Sequence, residues 1–552
     1  MRRAFAIAAI FWLVVAGLRA TPARAGGQNK KLVPGQAIVV PAAGVTIDAI
    51  AAEYGATVAD QVNGAYLLTL PSTDGTTATI KAMRSDPNVG AASGNLYVAS
   101  PAAKRGRHSG QTFPFDLADN KTLDRSGYDV QPFDVALHLD EMQGVRRGAG
   151  AVVAVIDTGV DLTHPDLVNR FATAPDGSLL GLDLIDGGPP QDEMQAGKDT
   201  SAFGHGTFIS GLILKVAPDA RIMPIRAMGP DGVGTAFDIA RAVDFAIANG
   251  ADVINMSFGA PDKIDGLEKE LSEARDKAVL LAAAGNDFTD QQKNYPADES
   301  YVLAVAAVDN TNAKADFSNY GSLIDLCAPG VKLVSTYPGG GYATWSGTSF
   351  ATPLAAGTAA ILAAKQKAGG SFDADCVANI LRATGGPVDA LSANRDYRGK
   401  MGVLVDPKAA FASPGCGEVY SYVNLTPTDP KDRKSRGEAQ RSFSATTQEF
   451  EVKVQGLRNN ASYTLRVTNT DATVYTQSFR TDGEGVGELK FEKHASGSDG
   501  GDLPAGLDPV TKIDKVEVLL ATTTVLSGVF SAGDDGGGGG DDGGGGGGGD
   551  DG

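Results

Sequence analysis

Four short runs dominated by apolar residues, at 151–156, 252–258, 279–284 and 302–308, constrain this chain more than any other feature. A strand with one face in water alternates polar and apolar residues. Runs that do not alternate need cover on both faces, as in a parallel sheet sandwiched between helices. Helical patterns do separate these runs. Within 236–249, Ile239, Val243, Ala246 and Ile247 fall on one face, and Gly250 supplies the C-terminal stop. Residues 131–412 are therefore expected to form one α/β domain around a mainly parallel sheet.

The flanks read differently. Residues 26–100 carry strand patterns at 35–40, 66–70 and 95–98 with helical patterns at 46–54 and 77–85, a small α+β unit. A polar, basic stretch, 101–130, reads as a linker. From 413 to 532 the pattern turns to alternating Thr-, Val- and Tyr-rich runs (449–454, 462–468 and 515–520), as expected of a β-sandwich-like domain. The last segment, 533–552, holds fourteen Gly and six Asp and has nothing to bury, so it is expected to be disordered. It lacks the apolar positions of an EF-hand loop or a calcium-binding nonapeptide repeat.

Charge and the N-terminus set the surroundings. The net charge of −18 still leaves −12 once the six Asp of the tail are removed, which argues against a nucleic-acid partner. Arg2 and Arg3 precede an apolar stretch at 4–18, and Ala23-Arg24-Ala25 offers a small-x-small cleavage site. That is a secretory signal peptide, 1–25, too short for a comfortable membrane span. The mature protein is expected to be secreted, with no transmembrane segment.

Only five His are present to serve as a base near neutral pH. His108 lies in the linker and His494 in the β-rich region. His138 suits a surface position, and His164, in Thr163-His164-Pro165-Asp166, suits a turn. His205 differs, because Gly204 and Gly206 flank it and an apolar helix pattern follows. Alone it would pass for a helix cap. Asp157 ends the first apolar run, where a carboxyl can orient a His ring, though an Asp there often only closes a turn. Ser349 opens an Ala-rich helix after Gly347-Thr348; a cap by default, it also stands where helix N–H groups favour an oxyanion. Pro353 is expected within the first turn of that helix. Asn286 ends the run at 279–284 and has a side-chain amide to donate.

Taken in chain order, Asp157, His205, Asn286 and Ser349 have no joint explanation as caps and turns. Here the sequence resembles the subtilases, the subtilisin-like serine proteases, over about 135–410. The matching stretches are Val155-Ile156-Asp157-Thr158-Gly159, Gly204-His205-Gly206-Thr207, Ile254-Asn255-Met256-Ser257-Phe258-Gly259, Ala284-Gly285-Asn286 and Gly347-Thr348-Ser349-Phe350-Ala351-Thr352-Pro353. The resemblance implies a three-layer subtilisin-like domain with Ser349 as nucleophile, His205 as base and Asp157 as its orienter, the chain order of the subtilisin triad. It implies Asn286 as oxyanion donor, and Gly232-Val233-Gly234 with Ser257-Phe258-Gly259 as segments that pair with an extended protein or peptide substrate. It also implies that 26–100 is an inhibitor-like prodomain, cleaved off between about Ser100 and Tyr128.

The departures matter as much. The stretch 208–218 is too short for the calcium loop of many bacterial members, so Asp166 is left without its loop partners. No cofactor is expected to be required, and weaker calcium sites elsewhere stay open. The polar stretch 186–193 reads as a surface loop. Asn294 stands where the base of the specificity pocket would be, with Asp287 nearby, which leans towards an apolar or broad preference. Cys376 and Cys416 are placed to pair in an oxidising exterior, whereas Cys327 suits a buried thiol. An α/β-hydrolase reading fails on chain order and on Ala351 in place of its final Gly. A dinucleotide fingerprint at Gly232-Val233-Gly234 fails at Phe237. An inert subtilase-like binding protein acting through its β-domain would be expected to have lost one of the four site residues.

Overall fold

The computed structural model describes residues 32–100, 125–413 and 419–529, apart from short internal segments (143–144, 146, 193–199, 261–264, 291–293, 300, 322, 389–390, 430–433, 444–446, 470–473 and 495–512). The expected signal peptide, most of the expected linker with its basic cluster and His108, Cys416 and the Gly/Asp tail lie outside the described residues.

The N-terminal unit runs β1 (Leu32–Pro41), α1 (Ile47–Glu53), β2 (Thr57–Val62), β3 (Ala65–Thr69), α2 (Thr76–Met83), β4 (Val89–Ala99). Its antiparallel order is β2-β3-β1-β4, and Ile50, Leu68, Ile80 and Met83 form its centre. Thr46 caps α1 through its hydroxyl. Two features escape the sequence pattern. The strand β2 is polar and largely exposed, so it carries no apolar signal. The strand β4, expected only at 95–98, is eleven residues long because its ends serve different partners. Val89 to Gly94 and Leu96 pair with β1, whereas Tyr97 to Ala99 pair with β8 of the next domain.

That domain opens with two short helices, α3 (Arg125–Asp129) and α4 (Pro132–Ala136). It continues through β5 (Val152–Asp157), β6 (Leu182–Asp183), α5 (His205–Val216), β7 (Arg221–Arg226), β8 (Val233–Thr235), α6 (Ala236–Ala248), β9 (Val253–Met256), α7 (Asp265–Ala274), β10 (Val279–Ala283), β11 (Leu303–Val308) and β12 (Leu326–Pro329). A hairpin of β13 (Leu333–Tyr337) and β14 (Gly341–Trp345) leads into α8 (Thr348–Ala368), then α9 (Ala374–Thr384), β15 (Gly386–Pro387), β16 (Val403–Leu404) and α10 (Pro407–Ala412). Nine strands form the sheet β15-β16-β12-β11-β10-β9-β5-β7-β6, parallel except at β15. The expected α/β class therefore holds, and β9, β10 and β11 are buried at every residue, as their lack of alternation requires. Helix α8 packs on β9 to β12 and on α5. It is buried all round from Thr348 to Ala364, which explains its run of Ala and Gly: at Gly357, a Cβ would stand 2.7 Å from that of Val216.

The remaining strands are antiparallel: β17 (Val419–Pro427), β18 (Arg436–Phe443), β19 (Thr447–Gln455), β20 (Ser462–Asn469), β21 (Val474–Arg480), β22 (Gly487–His494), β23 (Ile513–Leu520) and β24 (Thr523–Val529). In one hydrogen-bonded order, β21-β20-β23-β24-β17-β18-β19-β22, two four-stranded halves are joined where Thr426 and Pro427 of β17 pair with β24. Phe450, Val452, Leu465, Val467, Val516 and Val518 close the core between them, and β20 alternates buried and half-exposed residues.

Candidate active site

The end of β5 and the start of α5 bring Asp157 and His205 together. Both side chains are fully buried, and His205 Nδ1 lies 2.8 and 3.0 Å from the two carboxylate oxygens. A carboxylate only accepts, so Nδ1 carries a proton, and Nε2 is the nitrogen that holds the lone pair of the neutral ring. Glycine makes this approach available. A Cβ on Gly206 would stand 2.2 Å from the Gly159 carbonyl and 3.1 Å from Asp157 Cβ, forcing the two segments apart. The ring is held on its other side by Phe350 at 5.2 Å and Trp345 at 6.1 Å, centroid to centroid. The hairpin fixes the helix as well, because Ser335 and Thr336 hydroxyls donate to the carbonyls of Phe208 and Thr207.

Ser349 lies in the first turn of α8 and is 2% exposed. Its hydroxyl donates to the Ser257 carbonyl at 3.3 Å, while His205 Nε2 is buried without a hydrogen-bond partner. The Ser–His hydrogen bond is thus not made in this conformation. Pro353 is not in the first turn, as expected from the sequence, but six residues into the helix, which starts earlier at Thr348. A proline there has no N–H to give to the carbonyl four residues back, that of Ser349. Ser257 replaces it: its hydroxyl donates to Ser349 O at 2.9 Å and receives Asn255 Nδ2 at 3.0 Å. Strand β9 and the nucleophile-bearing turn are therefore laced together by two reciprocal bonds, Ser349 Oγ to Ser257 O and Ser257 Oγ to Ser349 O.

Asn286 follows β10, and its Oδ1 accepts from both the N–H (3.0 Å) and the hydroxyl (2.9 Å) of Thr348. With the oxygen committed, Nδ2 is the group left to donate towards an oxyanion beside Ser349. Asn294, expected at the base of the specificity pocket, lies against Gly259 of the substrate-pairing segment. It is buried, donates to Ala283 O at 2.6 Å, and occupies the space where a side chain on Gly259 would go.

The two candidate substrate segments do come together, and a strand lies between them. Ala99 exchanges both backbone bonds with Gly259 (3.2 and 3.0 Å), Ser100 N–H donates to Gly232 O at 2.9 Å, and Val98 pairs with Gly234. The last residues of the N-terminal unit thus run as an extended peptide along β8 and the Ser257-Phe258-Gly259 edge. This occupancy contributes to the burial of the site.

The stretch 186–193 is only partly the surface loop expected. Pro190 and Asp192 turn inward, and Thr207 Oγ1 donates to Asp192 at 3.1 Å. Burial drives the Asp192 carboxyl well above the usual range, against the opposing pull of the Gly204 N–H and the Thr207 hydroxyl. Sequence reasoning missed this residue because its surroundings are polar. His164 is buried as a turn residue, with Nε2 on Gly341 O at 3.0 Å and Nδ1 accepting from Asp166 N. His138 sits in the left-handed region beside Asp406. The Asp166 carboxylate is engaged by Arg125 and by the Tyr342 hydroxyl. Among the described residues no cluster of three or more His, Cys, Asp or Glu is arranged to hold a metal ion. Cys376 is disulfide-bonded and Cys327 is a buried thiol outside any disulfide; Cys416, the expected partner, lies outside the described residues.

Over its central region the chain is similar to known proteins. The Subtilase family model matches residues 148–392. A thermophilic serine proteinase of Bacillus sp. (strain AK1) is 40% identical over 252 residues, 43% of this chain and 58% of the relative. Subtilisin BL of Lederbergia lenta is 38% identical over 229 residues, 40% of this chain and 78% of the relative. Thermitase of Thermoactinomyces vulgaris is 33% identical over 267 residues, 46% of this chain and 87% of the relative. A solved cold-adapted subtilisin-like serine proteinase aligns at 28% identity with a TM-score of 0.41, covering 47% of this chain and 90% of that one. The chain spans a little over half of the first relative and most of the next two. With most of subtilisin BL and of thermitase matched at a third identity or more, the chain belongs to the subtilase family of serine proteases.

Proposed function

We propose that this protein is a secreted serine endopeptidase made as a self-processing zymogen. An extended peptide docks as a strand between Gly232-Val233-Gly234 and Ser257-Phe258-Gly259. Ser349 Oγ turns from the Ser257 carbonyl towards His205 Nε2, gives up its proton there and attacks the peptide carbonyl carbon. The new oxyanion is received by Asn286 Nδ2 and by backbone N–H of the α8 turn. His205, now protonated at both nitrogens and steadied by Asp157, returns the proton to the leaving amine, which departs and leaves an acyl-enzyme. Water then repeats the sequence: it loses a proton to Nε2, attacks the ester and releases Ser349.

One observation carries this reading: residues 97–100 already lie along the channel as a substrate would. Several further contacts fasten the N-terminal unit. Asn63 Nδ2 bridges Asp244 and Glu270 (2.8 and 2.7 Å), Arg241 pairs with Asp60 at 2.7 Å, and Asn95 accepts from Phe237 N at the start of α6. The unit therefore acts as an intramolecular inhibitor, and the bond to be cut lies beyond Ser100. Intact-mass spectrometry of the exported protein beside Ser349→Ala tests this. The wild type should lose everything up to a point shortly after Ser100, and the variant should keep residues from Gly26 onward. Two uncut or identically cut proteins would overturn self-processing.

A further inference from the structure

The C-terminal β-domain touches the catalytic domain at a point that leads directly to the substrate edge. Arg436 and Gln455 are cross-strand partners at the ends of β18 and β19. Both side chains aim at Asp298: Arg436 Nη2 donates to its carboxylate at 3.0 Å and Gln455 Nε2 to its carbonyl at 3.2 Å. Asp298 is 7% exposed. It lies three residues beyond Tyr295, whose N–H and carbonyl pair reciprocally with Ala260 (2.9 and 2.8 Å). Ala260 in turn follows Gly259, which pairs with the peptide in the channel. Next to this clamp the two domains stand apart around a cavity of about 500 Å³, lined by Glu268, Asp325 and Arg382 on one side and Asn424, Glu451 and Lys453 on the other.

We propose that the β-domain is a brace for the peptide-binding edge, with Arg436 and Gln455 as positioning residues that act through Asp298, Tyr295 and Ala260. The geometry is that of a lever. Asp298 sits on the turn closed by Glu299 N–H on Pro296 O at 3.0 Å, so holding its carboxylate and carbonyl fixes where Tyr295 meets Ala260. An edge held in this way binds extended substrates better without altering the chemistry at Ser349. Short substrates that never reach Gly259 gain nothing from it.

The kinetic arm of the test rests on the peptidase reading, and the other arm does not. In the full chain carrying Ser349→Ala, hydrogen exchange is followed at 257–260 and 294–299 for Arg436→Gln, for Asp298→Asn and for the control Arg466→Gln. Arg466 lies elsewhere in the β-domain, paired with Glu517. Both clamp variants should speed exchange in the two segments roughly 5- to 20-fold, as expected from losing a charged hydrogen bond, while β10 stays protected and the control changes nothing. In the active enzyme the same variants should raise KM for a long peptide amide by a similar factor. Their kcat should hold within about twofold, a single-residue ester should be turned over as by the wild type, and Arg436→Lys should recover part of the loss because charge survives without the fork. Unchanged exchange in both clamp variants overturns the brace. So does an equal effect from Arg466→Gln, or an equal KM rise for the short ester. A wild type that cleaves no peptide would sink the peptidase reading, and exchange would still decide the brace.

Discussion

Replacing Ser257 by Ala isolates the consequence of having Pro353 inside α8. In the native protein the Ser349 carbonyl has no intrahelical donor, and the Ser257 hydroxyl fills the place at 2.9 Å. Ser257 is fully buried and Ser349 2% exposed, so water cannot take over when that hydroxyl is removed. Stranding a buried acceptor costs about 1–3 kcal/mol. Pro353→Ala restores an N–H four residues after Ser349, and α8 can then bond that carbonyl itself. In this background Ser257→Ala should cost about 1 kcal/mol or less, leaving a coupling of about 1–2 kcal/mol between two residues of different elements. The assay is urea unfolding of the Ser349→Ala protein, which keeps the carbonyl while preventing self-digestion. Trp345, buried against Phe208 and Phe350, gives the fluorescence signal. If the two substitutions add to within about 0.5 kcal/mol, the carbonyl does not depend on Ser257 and the argument falls.

Further outcomes follow from the same geometry. Asn286→Ala should lower kcat by roughly 10²–10³, the loss known for the equivalent donor in subtilisin, with KM little changed in steady-state assays. Asn286→Asp keeps an acceptor for Thr348 but turns a negative charge towards the oxyanion, so it should be at least as damaging. Gly206→Ala must displace the Gly159 carbonyl from 2.2 Å, and it should cost about 1–3 kcal/mol in unfolding experiments along with kcat, through the Asp157–His205 pair. At the N-terminus of α9, burial lifts the Asp375 carboxyl to about 6, opposed by Arg275. A folded-state pKa above the unfolded one means that the native state binds the extra proton. The penalty is absent below about pH 4 and grows as pH rises to about 6. Asp375→Asn should therefore raise the unfolding midpoint at pH 7–8 by an amount worth about 1–3 kcal/mol and leave it unchanged at pH 3.5; a gain independent of pH would refute the assignment.

What the sequence conveys about this molecule divides along a physical line. Asp157, His205, Asn286 and Ser349 were legible because each stands at a strand end or helix start with a glycine within two positions, and their order in the chain is informative. The parallel sheet was legible because strands buried on both faces cannot alternate. What escaped depends on contacts between segments far apart in sequence. Ser257 reads only as part of a substrate-pairing segment, and its support of the Ser349 carbonyl emerges once Pro353 is placed six residues into α8. Asp192 reads as part of a polar loop until Thr207 draws it inward. Asp298, Arg436 and Gln455 carry no local pattern at all, since a clamp between domains leaves no periodicity in either partner.

The length of β4 has a mechanical consequence for the proposed zymogen. Val89 to Gly94 and Leu96 are built into the N-terminal sheet and Tyr97 to Ser100 into the channel, with only Asn95 interrupting the pairing. Asn95 is itself fixed, donating to Gln36 at 2.7 Å and accepting from Phe237 N at 3.1 Å. No slack separates the folded unit from the strand it inserts, so the inhibitory peptide is presented already ordered, and little entropy is lost on docking. While the chain is continuous, occupancy of the channel is an intramolecular event at high effective concentration. Once the bond beyond Ser100 is cut, the same contacts must be made between separate molecules. Cleavage alone, without any change in those contacts, then shifts the balance from a filled channel towards an open one as the protein is diluted.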